Sequence, residues 1–168
     1  MAALCWDTSH AVFVTEIDDE HQEIFAAVAA IDIALDEAEP AEITRLVKLL
    51  LECIEDHFAH EERLMRAGRY DAYSWHKRKH DTARQRVAEL GERVMQGDAE
   101  AGQALVQYLA NWLEEHTRLA DRMLGAFLRN HRRVSKVTFR AGTKPAGACA
   151  WTDIHGNPFD PETSHSGY

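Results

Sequence analysis

Apolar side chains recur along this chain at steps of three and four residues, which predicts four amphipathic helices. That period keeps apolar residues on one face of a helix. The stripes cover about residues 18–39, 41–66, 73–96 and 99–131. Asp18 or Asp19 suits the start of the first helix, Pro40 stops it, and Gly68 is expected to cap the second. Long helices with short connections predict an all-α, antiparallel, up-down-up-down four-helix bundle.

Both ends of the chain lack this helical period. Residues 1–17 are expected to form a non-helical arm whose apolar side chains pack across one end of the bundle. These side chains are Trp6, Val12, Phe13 and Val14. From Val134 onward the chain is rich in Gly, Pro, Thr and Ser, which predicts an irregular tail. The expected division is therefore an arm (1–17), one bundle domain (18–133) and a tail (134–168).

Composition and charge narrow the class of protein. The chain has 168 residues, enough for one domain with a sizeable core. Its formal net charge of -9 argues against nucleic acid or an anionic membrane as a partner. No apolar stretch is long enough to span a membrane, and no secretory signal is visible. The three cysteines form no Cys-x-x-Cys pair and indicate neither a zinc ribbon nor a disulfide framework, so we expect a cytoplasmic protein.

Histidines and carboxylates interrupt the apolar stripes at the spacing of metal ligands. They read His-x-x-x-Glu on the second helix, His-x-x-x-His on the third and His-x-x-x-x-Asp on the fourth, with one more histidine on the first. The residues are His21, His57, Glu61, His76, His80, His116 and Asp121. Because neighbouring helices run in opposite directions, all of them are expected at the same end of the bundle.

A metal centre offers a natural way to bury so many polar groups. Leaving them without partners would cost about 1–3 kcal/mol each. Imidazole with carboxylate ligands suits iron, copper or zinc, and two carboxylates able to bridge suit a non-haem di-iron centre. Direct salt bridges and hydrogen bonds among these side chains are the alternative. An odd number of histidines cannot divide evenly between two metals, so one metal is expected to keep an open coordination position.

The fourth helix contains an irregularity. His116 and Asp121 lie five positions apart, about 140° around an ideal helix, so Asp121 would leave the inner face. A local π-bulge would return it, and such bulges are frequent at functional sites. The inner stripe itself is expected to continue through Leu119, Met123 and Phe127. His60 is expected to point away from the site, a role as outer partner or proton relay being the alternative.

At these ligand positions the chain resembles the hemerythrin family. The resemblance covers about Trp6 to Arg129 and includes the words IDDEHQEIF, HFAHEERLM and NWLEEHTRLAD. It implies two irons joined by two carboxylates and an oxo or hydroxo group. One iron would be held by three histidines and the other by two, where an open position would bind dioxygen. In that order the residues are His76, His80 and His116, then His21 and His57, with Glu61 and Asp121 as the bridges.

The resemblance also implies a dry apolar pocket for dioxygen, walled by Ile24, Phe58, Trp112 and Leu113. The expected function is reversible dioxygen binding, for storage, for delivery to an oxygen-using enzyme, or for sensing with a signalling partner. The protein is expected to be a carrier and not an enzyme. Two alternatives stay open: a di-iron oxidase, peroxidase or nitric-oxide-processing enzyme, and an iron-storage or iron-sensing module.

Overall fold

The computed structural model describes residues 4–135, and all of their regular structure is helical. The helices pack as a ring in which α1 and α3 each contact α2 and α4. Connections of two to four residues join neighbouring helices, so they run antiparallel. The predicted all-α four-helix bundle is confirmed. Its elements are α1 (Thr15–Glu37), α2 (Pro40–Gly68), α3 (Tyr73–Met95), α4 (Ala99–His116), a π turn (Thr117–Asp121) and α5 (Arg122–Ser135).

The first helix begins earlier than predicted, at Thr15 rather than at Asp18. Val14 is the cap residue, and its side chain makes no capping hydrogen bond. Asp18 has another role, because its carboxylate accepts a hydrogen bond from the Val12 N–H at 2.7 Å. The carboxylate that marks a helix start in the sequence therefore ties the N-terminal arm (residues 4–14) to the bundle.

The end of α2 also differs from the prediction. Gly68 is the last helical residue, and Arg69 caps the helix in the left-handed conformation with φ 55°. Gly68 is required by packing instead, since an added Cβ would lie 2.7 Å from the Phe127 ring. A close helix contact, and not a left-handed backbone, explains this glycine.

Two apolar clusters fill the bundle, with a polar layer between them. The main cluster runs through all four helices. On each helix, its member closest in sequence to the polar layer is Ile24, Phe58, Ala83 or Leu113. A smaller end cluster closes the bundle on the other side of that layer. It consists of Val12, Val14, Ile17, Leu64, Met65, Tyr70, Leu124 and Leu128. Along each helix the predicted metal ligands lie between the two clusters.

The arm packs against the bundle, but its two aromatic residues depart from the predicted packing across the end. Val12 and Val14 are buried, and Trp6 packs against the main cluster. Phe13, however, is 64% exposed, so its predicted burial is wrong. Its backbone adopts a left-handed φ of 60°, which interrupts the extended alternation, and the Arg129 guanidinium lies 5.6 Å from its ring.

Two further expectations concern membrane spans and the C-terminal end of the bundle. None of the helices within residues 4–135 is long and apolar enough to cross a membrane. The helix α5 continues to Ser135, and the rest of the predicted tail lies outside the described residues. The domain limits and the cytoplasmic location stay predictions.

Candidate metal centre

All the predicted ligand side chains meet in the polar layer between the two clusters. Each is at most 3% exposed. Their ligand atoms form two groups, and within each group every atom lies within 4.8 Å of the others. The first group contains Glu61, His76, His80, His116 and Asp121, and the second contains His21, His57, Glu61 and Asp121.

Two carboxylates belong to both groups. Asp121 turns one oxygen to each side: Oδ1 lies 2.9 Å from His116 Nε2, and Oδ2 lies 3.1 Å from His21 Nε2. Glu61 presents a single oxygen, Oε2, at 3.2 Å from His80 Nε2 and 3.8 Å from His57 Nε2. The centre is therefore unequal, with three histidines on one side of the shared carboxylates and two on the other.

Several buried polar atoms at this centre lie close to one another without a hydrogen bond, although His116 Nε2 is within hydrogen-bond distance of His76 Nε2 (3.1 Å) and His80 Nε2 (3.2 Å). Both carboxylate oxygens of Glu61 and of Asp121, and both ring nitrogens of His21, are buried without a hydrogen bond of acceptable geometry. Buried polar atoms in folded proteins are nearly always paired. Atoms at about 3 Å that are not aligned as donor and acceptor converge instead on common points between them. Nitrogen and carboxylate donors arranged in this way fit metal ions such as iron.

The close contact between histidines and carboxylates shifts their pKa values toward the charged forms of both. Burial and the Asp121 carboxylate would raise the pKa of Glu61, but His57, His76 and His80 outweigh them and hold it below its usual value. The pKa of Asp121 is likewise held well below normal, despite burial, by His116, His21 and His76. Burial would lower the pKa of His76, yet the two carboxylates raise it to about 9. Both carboxylates are therefore anionic ligands at neutral pH.

Carboxylates around the ligand cluster orient the histidines by contacting their outer ring nitrogens. Glu20 holds two of them at once, with Oε2 2.9 Å from His57 Nδ1 and Oε1 2.7 Å from His60 Nδ1. This contact turns the Nε2 of His57 toward the centre, since each ring nitrogen can face only one side. His60 thus points away from the ligand cluster, as predicted, and is an outer partner through Glu20. Burial would raise the pKa of Glu20, but the two histidines lower it to about 2.

A second carboxylate, Glu62, faces the other side of the site. Its Oε1 lies 3.4 Å from His80 Nδ1 and accepts a hydrogen bond from Arg84 at 2.8 Å. Sequence inspection missed Glu20 and Glu62 as site residues. Glu20 directly precedes His21, and Glu62 directly follows Glu61. A residue next to a ligand on a helix faces a neighbouring helix rather than the core, and this position is the signal that points to both residues.

The predicted π-bulge is confirmed, and it explains an error in the predicted inner stripe. Thr117–Asp121 form a π turn, which brings Asp121 back to the centre. The extra residue rotates everything after it, so Leu119 and Met123 are 53% and 46% exposed rather than buried. Leu124 and Leu128 take the inner positions instead. A regular helical count past His116 therefore assigns the wrong residues to the core.

Aromatic rings cover two of the histidines. Phe58 stacks on His80 with centroids 4.1 Å apart, and Trp112 stacks on His116 at 4.0 Å. The two aromatic rings contact each other at 5.2 Å, and Phe58 also reaches the His57 ring at 5.8 Å. Phe58 therefore touches histidines of both groups. Ile24 and Leu113, the other two predicted pocket residues, are buried in the main cluster beside them.

Fold and site together define a helical-bundle protein with a buried centre for two metal ions. The sequence pattern of the Hemerythrin HHE cation binding domain matches residues 12–128. The chain belongs to the hemerythrin family. Membership implies oxygen binding at a non-haem di-iron centre, and the cluster of histidines and carboxylates is where this chain can bind metal. Proteins of this family bind oxygen rather than catalyse a reaction.

Curated relatives from animals and bacteria are similar over most of their length. A hemerythrin of Themiste dyscrita is 32% identical over 70% of this chain and 87% of its own. A bacteriohemerythrin of Methylococcus capsulatus is 28% identical over 76% of this chain and 98% of its own. A crystal structure of a leucine-to-phenylalanine mutant protein superposes with a TM-score of 0.70 at 26% identity, over 76% of this chain and 98% of that one.

Proposed function

We propose that this protein binds dioxygen reversibly at a di-iron centre in the polar layer. The observation that carries the proposal is the division of the buried ligands into a group with three histidines and a group with two, joined by shared carboxylates. An iron with fewer protein ligands keeps room for an exogenous one. When bound, the two irons would supply that open position and the electrons on which oxygen binding depends.

The ligands have separate tasks in this proposal. The two carboxylates would bridge the irons together with an oxo or hydroxo group. Asp121 supports this role best, because its two oxygens face opposite groups. Glu20 and Glu62 hold the outer nitrogens of His57 and His80, which fixes the ring orientations that the irons require. The proposed ligands of the two irons are His76, His80 and His116 for one, and His21 and His57 for the other.

The pocket beside the centre would keep a bound oxygen molecule dry. Ile24, Phe58 and Leu113 are almost fully buried, and Trp112 closes the outer side with its ring over His116. Apart from the indole N–H, these side chains offer no proton donor. Excluding water and protons favours release of oxygen in its original form over its reduction. That property is what a carrier requires for storage, for delivery to an oxygen-using enzyme, or for sensing with a signalling partner.

Iron analysis combined with an oxygen titration tests the proposal. We expect two irons per chain and a charge-transfer absorption band that forms in air and disappears under vacuum. Replacing His116 with alanine should remove the band, whereas His131→Ala, outside the ligand cluster on α5, should retain it. Rapid bleaching by peroxide with release of product would indicate an enzyme instead of a carrier. Ready loss of iron to a weak chelator would indicate an iron-storage or iron-sensing protein instead of a carrier.

A further inference from the structure

The N-terminal arm lies along the outer side of the π turn and α5. Three arginines on that side reach the arm. Arg118 donates to Ser9 Oγ at 3.0 Å, and Arg122 donates to the carbonyl oxygens of Ser9 and Ala11, each at 3.1 Å. Arg129 donates to the carbonyl oxygen of Val12. The backbone of the arm is thus held to the helix that delivers Asp121.

A glycine lets the arm approach the backbone of α5. A Cβ added at Gly125 would lie 2.5 Å from the Val12 carbonyl oxygen and 3.0 Å from Val12 Cβ. Glycine in a helix interior weakens the helix relative to alanine, so its presence here fits the need for close contact. On the opposite side of the arm, Asp18 accepts the Val12 N–H. Val12 is consequently fixed between α1 and α5.

The π turn has few other supports on its outer side. Thr117 donates its hydroxyl to the Leu113 carbonyl oxygen at 2.8 Å, and Arg118 pairs with Glu114 at 2.6 Å. Leu119 is exposed, and the remaining contacts of Arg118 and Arg122 are those with the arm. A π turn is rare in proteins and is less favourable than a regular helix unless its surroundings hold it. Two of the residues that hold the arm flank Asp121 in the chain: Arg118 lies three residues before it, within the π turn, and Arg122 directly follows it. Their contacts therefore act on the segment whose register decides where Asp121 points.

We propose that the arm is a clamp that keeps the π turn in register, with Arg122 and Arg118 as positioning residues for Asp121. The clamp would slow the loss of metal by holding this carboxylate at the centre before and after metal binds. The inference rests on the proposed function only in taking Asp121 as a metal ligand. Its structural part, the dependence of the π turn on the arm, concerns the metal-free protein as well.

Gly125→Ala is the sharpest test, because it lifts the arm while favouring the helix itself. Gly91→Ala on α3 is the matched control, since its added Cβ meets only side-chain ends of Leu51 and Val47. In the iron-free full-length protein, amide hydrogen exchange should become faster in residues 7–14 and 117–121 of the Gly125 variant and stay unchanged around His76. In the iron-loaded protein, transfer of iron to a strong chelator should be about tenfold faster, the size expected for losing charged hydrogen bonds. The control should match the wild type in both measurements.

Arg122→Gln provides a second variant that adds no bulk, and Arg122→Lys should restore part of the protection because lysine can still donate to one carbonyl. Equal acceleration of exchange in all helices would mean a merely structural role and would overturn the clamp. Unchanged exchange in residues 117–121 of both the Gly125 and Arg122 variants would overturn it too. A wild-type protein that binds no iron would instead contradict the proposed function, and the exchange measurement would still decide whether the arm holds the π turn.

Discussion

The two halves of this bundle follow different rules. In the half farthest from the ligands, apolar residues fill the core, Asp98 caps α4 through the Ala101 N–H at 3.1 Å, and Gly97 supplies the turn with φ 89°. In the ligand half, the carboxylates of Glu61 and Asp121 are buried without hydrogen bonds, a π turn interrupts the helix, and Phe13 and Arg69 adopt left-handed backbones. The usual preferences for helix caps, turns and buried apolar residues hold where the bundle needs only stability. They fail where the bundle forms the metal centre.

Shifting Asp121 out of register with His116 should have the largest effect, and it should affect iron binding far more than folding. Inserting one alanine after Leu119 would rotate Asp121 by about 100° away from the centre. We expect the variant to keep its helical circular dichroism spectrum and to lose tight binding of two irons, measured by metal analysis after gel filtration.

Two length variants control for the insertion itself. An alanine inserted after Gly97 lengthens the turn of the far half and should leave the iron content unchanged. Deleting Leu119 restores ordinary helical spacing between His116 and Asp121 and should retain iron. If the insertion after Leu119 retained two irons with wild-type stability to chelation, the π turn would not be needed to position Asp121.

Two buried leucines on α4 can distinguish a role in core packing from a role in the proposed dioxygen pocket. Leu113 and Leu105 are both fully buried on that helix, but only Leu113 lies one turn from His116. Each alanine substitution should lower the free energy of unfolding by about 2–5 kcal/mol. Only Leu113→Ala should also accelerate oxidation of the oxygenated protein, because it opens space for water beside the centre. Equal oxidation rates in the two variants, followed by absorption spectroscopy, would contradict the pocket assignment.

Neutralising the Glu20 carboxylate should have a smaller effect, which is a weaker affinity for iron. Glu20→Gln removes the charge that holds His57 and His60 and should weaken iron binding by about 10–100-fold, the usual cost of an outer-sphere partner. Asp19→Asn removes an exposed charge beside it and serves as control. Competition with a chelator of known affinity measures both. Wild-type affinity in the Glu20 variant would show that the contact does not orient His57.

The smallest effect is expected in the far half, on stability alone. Hydrogen bonds from Arg93 and the Ala101 N–H lower the pKa of Asp98 below its ordinary value of 3.8. Its cap is therefore fully effective above about pH 4 and is lost as the pH falls through the folded-state pKa. Asp98→Ala should lower Tm by a few degrees at pH 7 with unchanged iron content. Asp98→Asn should keep the cap but lose its acid dependence, and a loss of iron in either variant would break the contrast between the halves.

Periodicity and spacing predicted most of the bundle and its ligand cluster. The helix α3 begins at Tyr73 as predicted, and the His57 to Glu61 and His76 to His80 spacings put each pair on one helix face, as regular helices must. Even the π turn could be inferred, because His116 and Asp121 share a face only if the helix widens. These features are local, so a short stretch of chain contains the information.

Other features depended on contacts between distant parts of the chain. Leu119 and Met123 look like core residues in a regular helix, and only the rotation through the π turn exposes them. Likewise, the position of Glu20 next to His21 puts it near the site, but only the packing of α1 against α2 shows that it meets His57 and His60.

The sequence by itself determined the helices, their antiparallel order and the residues able to bind metal, because helical period and ligand chemistry are properties of neighbouring residues. Tertiary structure alone decided that the oxygens of Asp121 face opposite histidine groups. It also placed the arm against Gly125 and turned Phe13 outward. The physical reason is that the direction of a side chain and the fit of two backbones depend on packing between segments that lie far apart in the chain.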